Sequence, residues 1–254
     1  MKKEIKYVGH RGTKLLNGVE NTYEAFSEAI TMGYDAIETD VRVTLDGVYV
    51  CFHDETLTRL TLNSEKTYHD YINGMHYRDL KDITLTQITP DKKVRMGKIC
   101  LFDEYLTLCQ TYHKTPVIEL KWTNGIYADN DDKHKHNYSN LDGLIKKIYE
   151  HNLESTAIVM TSMIGCLEYV KNKYPNINLQ WLCHTRTHEF MEYCVKQGFD
   201  LDVHYSYCDE YLVNYCHQNH RLVNIWTLND ESLLNHYLDL GVDMITTDYI
   251  KPRK

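Results

Sequence analysis

A (β/α)8 barrel of the TIM type is the fold class that this sequence predicts, and three observations predict it. Eight short β-branched runs alternate with amphipathic helical stretches along the 254 residues. That length matches the about 250 residues one such barrel needs. The residues best suited to chemistry also sit where those runs end, at the face where barrels of this type carry their sites.

The strand candidates are Ile5–Gly9, Ala36–Asp40, Pro116–Leu120, Ala157–Thr161, Leu179–Cys183, Leu201–His204, Val223–Trp226 and Met244–Thr246. The first helix is expected to start at Asn21 as N-cap with Glu24 at N3, to bury Ala25, Phe26, Ala29 and Ile30, and to stop before Gly33. Further helical patterns run over about 103–113, 140–152, 163–173, 187–197, 208–219 and 230–239. Strand–helix alternation of this kind means parallel βαβ units. A ninth run, Val48–Phe52, follows Val41–Thr44 across Leu45-Asp46-Gly47. Asp-Gly between alternating apolar residues is a hairpin signal, and a tight turn joins only antiparallel strands. Residues 41–52 are therefore a hairpin growing out of the second barrel strand. Residues from about 55 to 100 hold no βαβ unit and read as an insertion in a single domain spanning 1–254. The polar run Asp129–His136 reads as a long solvated loop, with His134 and His136 at a solvated tip rather than on a metal.

Composition narrows the function. Hydrophobic residues at 43% and charged residues at 25% are ordinary for a globular chain. The net charge of −8 argues against nucleic-acid binding and against a polybasic membrane anchor. It would also repel an anionic substrate unless a cation reversed the field locally. The eight cysteines form no Cys-x-x-Cys pair and lie mostly in apolar stretches, and Met1-Lys2-Lys3-Glu4 leads straight into Ile5 without a signal-peptide pattern. The expectation is a cytoplasmic protein with reduced cysteines and no stable membrane anchoring.

Three clusters mark the strand ends: His10-Arg11-Gly12, Glu38-Thr39-Asp40 with the hairpin return His53-Asp54, and Glu119-Leu120-Lys121. Period-two geometry puts Glu38 and Asp40 on one face of their strand. Two carboxylates aimed together repel; a shared hard cation (Mg²⁺, Ca²⁺ or Mn²⁺) relieves this, and Glu119 can supply a third ligand. His10 and His53 beside such a cation suit in-line displacement at phosphorus, one accepting the nucleophile's proton and the other protonating the leaving alkoxide. Arg11 can grip a phosphate bidentately and Lys121 adds a point charge. Arg11 also reads as an ion-pair partner of Glu20, and Lys121 as a partner of a neighbouring carboxylate.

The ordered set His10-Arg11-Gly12, Glu20-Asn21-Thr22, Glu38-x-Asp40-Val41, His53-Asp54 with Leu57-x-Arg59, Glu119-x-Lys121, Trp226-Thr227-x-Asn229 and Thr247-Asp248 resembles the glycerophosphodiester phosphodiesterase family over nearly the whole chain. The resemblance implies that His10 and His53 are the acid/base pair and that Glu38, Asp40 and Glu119 hold a divalent metal. It places Arg11 and Lys121 on the phosphate, Glu20 in support of this substrate-binding group, and Trp226 as an apolar wall for the alcohol moiety. It implies a small-molecule phosphodiester as substrate and makes Asp248, at the end of strand eight, structural. Ser162-Met163, Cys100–Glu104 and the long stretch 122–140 depart from the family pattern and bear on the shape of the mouth. Three rivals share the barrel: a lyase of the sphingomyelinase D type releasing a cyclic phosphate, a phosphodiesterase cleaving lysophospholipids, and a non-catalytic phosphodiester-binding scaffold.

Overall fold

The computed structural model of the protein describes residues 5–62, 67–88, 92–121, 128–130, 135–184 and 188–253. Eight parallel strands close on themselves: β1 (Lys6–Gly9), β2 (Ala36–Val43), β3 (Thr115–Leu120), β4 (Ile158–Thr161), β5 (Asn178–Cys183), β6 (Asp200–His204), β7 (Val223–Trp226) and β8 (Met244–Thr247). Each pairs with its sequence neighbours, and β1 seals the cylinder by pairing with β2 on one side and β8 on the other. Among the described residues, seven helices of seven residues or more lie between the strands: α1 (Tyr23–Met32), α2 (Phe102–Thr111), α3 (Ser139–Glu150), α4 (Ile164–Lys173), α5 (His188–Lys196), α6 (Glu210–Gln218) and α7 (Leu234–Leu240). Every predicted barrel strand is found within a residue or two of its expected start, and the fold class is the predicted one.

Alternation along each strand separates two cores. One set faces out: Ile37, Ile118, Val159, Leu201, Ile225 and Ile245 pack with Phe26, Leu106, Leu144, Leu167 and Leu212 of the surrounding helices. The other set faces in: Val8, Ala36, Val117, Ile158, Met160 and Met244 fill one end of the barrel. Counting on by twos from that plug leads from Val8 to His10, from Ala36 to Glu38 and Asp40, and from Val117 to Glu119 and Lys121. The same parity that builds the core therefore aims the polar residues at the opposite mouth.

The hairpin is present, and its first arm continues β2 without a break to Val43. Tyr49–Cys51 returns antiparallel to Val41–Val43 and is in turn paired with Cys100–Leu101. The insertion contains short helical turns and a two-stranded ladder, Leu85–Ile88 with Val94–Gly97. It buries a cluster of its own, with Phe52, Leu57, Leu60, Ile72, Leu80 and Leu85 at its centre.

Two local expectations need correction. Thr22, not Asn21, caps α1: its Oγ1 accepts from the Ala25 amide at 3.4 Å. Asn21 is instead in the left-handed region (φ 57°), with its side chain committed to Asp40. The polar run read as one loop contains paired backbone, Ala128–Asn130 antiparallel to Lys135–Asn137. His134 and the side chain of His136 lie outside the described residues.

One glycine ties the hairpin to the helical layer. Tyr49 Oη donates to the Asn140 carbonyl at 2.7 Å, and a Cβ on Gly143 would overlap that hydroxyl. Glycine costs a helix about 1 kcal/mol relative to alanine, so the contact justifies an otherwise poor helix residue. Gly143→Ala should destabilise the protein by about 1–3 kcal/mol, as overpacking does. The loss should shrink in a Tyr49→Phe background, measured by denaturant unfolding of the four proteins of the cycle. An undiminished loss would refute the contact as its cause.

Candidate active site

After β1 the chain turns through His10-Arg11-Gly12. Arg11 has φ 54° and Gly12 φ 91°. A Cβ on Gly12 would lie 2.6 Å from the Ala25 carbonyl carbon of α1, so only glycine lets the helix approach this closely. The left-handed turn directs the Arg11 amide to Glu38 Oε2 at 2.8 Å. It sends the guanidinium to Glu20 Oε1 at 2.8 Å and to Asp40 Oδ2 at 3.1 Å.

β2 and β3 run side by side with Asp40 opposite Glu119. Glu38, Asp40 and Glu119 present carboxylate oxygens within 4.8 Å of one another. Glu38 is 1% exposed and Asp40 fully buried. Burial, with repulsion from Asp40 behind it, holds the Glu38 carboxyl well above the usual range. Burial would raise Asp40 too, but Arg11 and Lys121 outweigh it and keep Asp40 well below the usual range. Glu119 is pushed up to about 7 by burial and by Asp40, against the pull of Lys121. The Lys121 ammonium lies 2.5 Å from Glu119 Oε1 and 3.1 Å from Asp40 Oδ1. Asn21 adds a neutral brace, donating from Nδ2 to Asp40 Oδ2 at 2.7 Å while its Oδ1 accepts from Thr39 Oγ1 at 2.8 Å. Glu38 Oε1 is buried with no hydrogen-bond partner among the described residues. An all-oxygen, anionic donor set with an orphaned lone pair fits a hard divalent cation.

Each histidine is steered by a carboxylate. His10 Nδ1 lies 2.9 Å from Asp248 Oδ1, and His53 Nδ1 lies 2.7 Å from Asp54 Oδ1. A carboxylate on Nδ1 fixes the ring and leaves Nε2 to face the cleft; His10 Nε2 is 4.0 Å from Glu38 Oε2. Burial lowers the pKa of His10, and the Asp248 hydrogen bond opposes that shift. Asp248 is itself held by Lys14 at 2.9 Å and by Asn229 Nδ2 at 2.8 Å. The backbone at His53 is gripped by Arg42, whose Nε donates to the His53 carbonyl at 3.0 Å.

These groups border a cleft of about 110 Å³. His10, Arg11, Glu38, Glu119 and Lys121 line it from β1–β3 and their ends, His53 from the hairpin return, and Met160, Leu182, His184, Asp202 and Trp226 from β4–β7 and their ends. Trp226 is half-buried, its ring met edge-on by His184 at 5.0 Å and His204 at 5.2 Å. Of the residues singled out from sequence, all but Glu20 and Asp40 line the cleft, and Asp40 sits directly behind its wall. Glu20 is a hub behind Arg11: it accepts from Arg11, from Arg59 Nη1 at 3.0 Å and from Gln87 Nε2 at 2.8 Å. Sequence reasoning gave no role to Asp202 or to the ring-orienting contact of Asp248. Asp202 stands at the inward parity of β6, two before its end at His204, and that parity was the available signal for it; Asp248 reads from sequence as structural at the end of strand eight.

The Glu20 hub has a pH signature. Burial would raise its carboxyl, but hydrogen bonds from Arg59 and the charge of Arg11 bring it down from 4.5 to about 2. A depressed carboxylate pKa stabilises the fold above the unfolded value and loses that stabilisation as pH falls toward the folded one. The stability gap between wild type and Glu20→Gln should therefore be full above pH about 4.5. It should close, by on the order of 3 kcal/mol, as pH falls toward about 2. Denaturant unfolding at a series of pH values measures it, and a gap independent of pH would exclude the ionised hub.

Similarity to known proteins follows the same outline. The profile of the glycerophosphoryl diester phosphodiesterase family matches residues 10–251. A glycerophosphodiester phosphodiesterase from Bacillus altitudinis is 28% identical over 248 residues, covering 96% of this chain and 94% of that protein. Among solved structures, a glycerophosphodiester phosphodiesterase from Parabacteroides distasonis superposes with a TM-score of 0.76 at 22% identity, covering 98% of this chain and 94% of its own. A phosphodiesterase from Oleispira antarctica, solved in complex with the product sn-glycerol-3-phosphate, gives a TM-score of 0.76 at 20% identity, covering 96% and 93%. Among the described residues, no helix is long and apolar enough to cross a membrane. Since the family profile runs from the first histidine of the cleft to beyond the last barrel strand, the chain belongs to the glycerophosphoryl diester phosphodiesterase family.

Proposed function

We propose that the protein is a metal-dependent hydrolase that converts glycerophosphodiesters to glycerol phosphate and an alcohol, with His10 and His53 as its acid/base pair. The observation that carries this reading is the pair of carboxylate-steered imidazoles, at 2.9 Å and 2.7 Å, beside three converging carboxylates. Family membership and the full-length relatives support the reaction class.

Glu38, Asp40 and Glu119 would hold the divalent cation, Mg²⁺, Ca²⁺ or Mn²⁺, which when bound supplies electrophilic stabilisation of the phosphoryl oxygens. The chain's own groups do the rest. Arg11 and Lys121 already lie against the carboxylates and offer N–H donors to a phosphate in the cleft, which counters the repulsion an anion meets from a chain of charge −8. Asp248 and Asp54 keep Nδ1 of each histidine occupied, so that proton transfer goes through Nε2. One imidazole takes the proton of the attacking oxygen, and the other gives a proton to the departing alkoxide. Glu20 keeps the Arg11 guanidinium from swinging away, and Trp226 offers a ring face to the carbon skeleton of the substrate. All eight cysteines are free and buried, which accords with a reducing, cytoplasmic setting; hydrolysis of glycerophosphodiesters would give the protein a place in lipid metabolism. The partner in this reading is a small molecule, with no nucleic acid and no stable membrane anchoring.

Two outcomes are expected. Protein stripped of metal by chelation should not turn over glycerophosphocholine, and single additions of Mg²⁺, Ca²⁺ or Mn²⁺ should restore release of glycerol phosphate. Phosphorus NMR identifies the product, and a cyclic phosphate as the end product would replace the hydrolase with a lyase. His10→Ala and His53→Ala should each lower kcat by about 10²–10⁴. Near-normal turnover of either variant would remove that residue from the acid/base pair.

A further inference from the structure

Asp202 lines the cleft, and the scheme above gives it no task. It lies on β6 at the parity of His204, facing the barrel axis, and is 1% exposed. Its Oδ1 is buried with no hydrogen-bond partner among the described residues. The polar groups nearest in register are turned elsewhere. Asn224, paired with it on β7, exchanges both of its amide atoms with Thr246 Oγ1, at 3.0 and 3.2 Å. The Trp226 indole N–H goes to the Asp202 backbone carbonyl at 3.3 Å rather than to the carboxyl. Leaving a buried acceptor unpaired costs stability, and at a cleft such a group marks a place for a donor from a ligand or an ordered water.

The position says what that ligand is. Arg11, Glu38, Glu119 and Lys121 come from β1–β3 and their ends, and Leu182, Asp202 and Trp226 from β5–β7, so a phosphodiester held at phosphorus by the first group sends one substituent toward the second. Leu182 and the Trp226 ring give that wall an apolar surface, with Asp202 between them in strand order as a carboxyl acceptor and His184 at the end of β5, which suits a short carbon skeleton ending in a hydroxyl. A buried carboxyl with an unpaired oxygen matches a hydroxyl donor, whereas a trimethylammonium head has no N–H or O–H to offer it. In glycerol the hydroxyl beside the ester carbon stays close to phosphorus, and the terminal one extends a carbon further, toward the far wall.

We propose that Asp202 accepts a hydrogen bond from the terminal hydroxyl of the substrate's glycerol unit, and so selects free glycerol esters over skeletons in which that hydroxyl is missing or acylated. This rests on the glycerophosphodiester reading and deepens it: the preferred substrates are fully deacylated diesters, and lysophospholipids acylated at that oxygen are excluded. It also assigns the Trp226 wall to the glycerol unit and sends the second alcohol out through the mouth.

The test uses two diesters of choline phosphate. One is glycerophosphocholine. The other carries propane-1,2-diol in place of glycerol, so that it keeps the hydroxyl beside the ester and lacks only the terminal one. Wild-type kcat/KM should be about 10- to 100-fold lower on the analogue. Asp202→Leu should bring glycerophosphocholine down by the same factor, and the two losses should not multiply. The metal-free melting temperature of Asp202→Leu should rise by about 3 °C or more, because an unpaired buried carboxyl is gone. Asp202→Asn, which keeps a carbonyl acceptor in place, should retain most of the substrate preference and serves if the leucine variant does not fold. Equal losses on both substrates, or no wild-type preference, would overturn the assignment to Asp202 while leaving the hydrolase intact. No turnover of either diester by wild type under any of the three metals would overturn the hydrolytic reading and this assignment with it.

Discussion

Three carboxylates brought within 4.8 Å of one another in a protein interior repel, and most of what surrounds them is arranged to hold them there. The Arg11 and Lys121 cations lie directly against the group, and Asn21 braces Asp40 from behind. The unevenness of the balance is instructive. Asp40 receives both cations and stays ionised, while Glu38 and Glu119 are left under-compensated and shift upward. An interior charge set tuned only for stability would not be left in that condition, since unpaired buried charge is among the most expensive features a fold can carry. In the proposed reading a bound cation relieves this repulsion by taking the under-compensated oxygens of Glu38 and Glu119 as ligands.

The left-handed conformations at Arg11 and Asn21 follow from the same requirement. Both are non-glycine residues with φ above 50°, both touch the carboxylate group, and neither belongs to a helix or strand. Backbone strain of this kind persists only when its surroundings over-determine it. Here the close approach of α1 over Gly12 and the hydrogen bonds to Glu38 and Asp40 supply that over-determination. Placing Asn21 on Asp40 also displaces the cap of α1 by one residue, to Thr22.

Much of this was legible before any coordinates. Alternation of β-branched runs with 3.6-period stretches located the barrel strands, and Asp46-Gly47 located the hairpin that carries His53 back to the mouth. Period-two counting put Glu38 with Asp40 on one face of their strand, and the strand-end position of Glu119-Leu120-Lys121 put that cluster at the same mouth. What was not legible depended on competition between neighbours. Asn21 and Thr22 are both good caps, and only the demand of Asp40 decides between them. Asp202 looks like one polar residue in an apolar strand until the partners of Asn224 and Trp226 are known. The short paired strands within the polar run over 129–136 have too few apolar residues to signal by pattern.

The contact between His10 and Asp248 spans 238 positions of sequence and sits at the seam where β1 meets β8. A chain that has formed β2 and β3 but not β8 possesses the carboxylate group, yet has neither a closed cylinder nor a carboxylate on His10 Nδ1. The orientation of that imidazole is therefore tied to closure of the barrel, and opening the β1–β8 seam alone would release the ring.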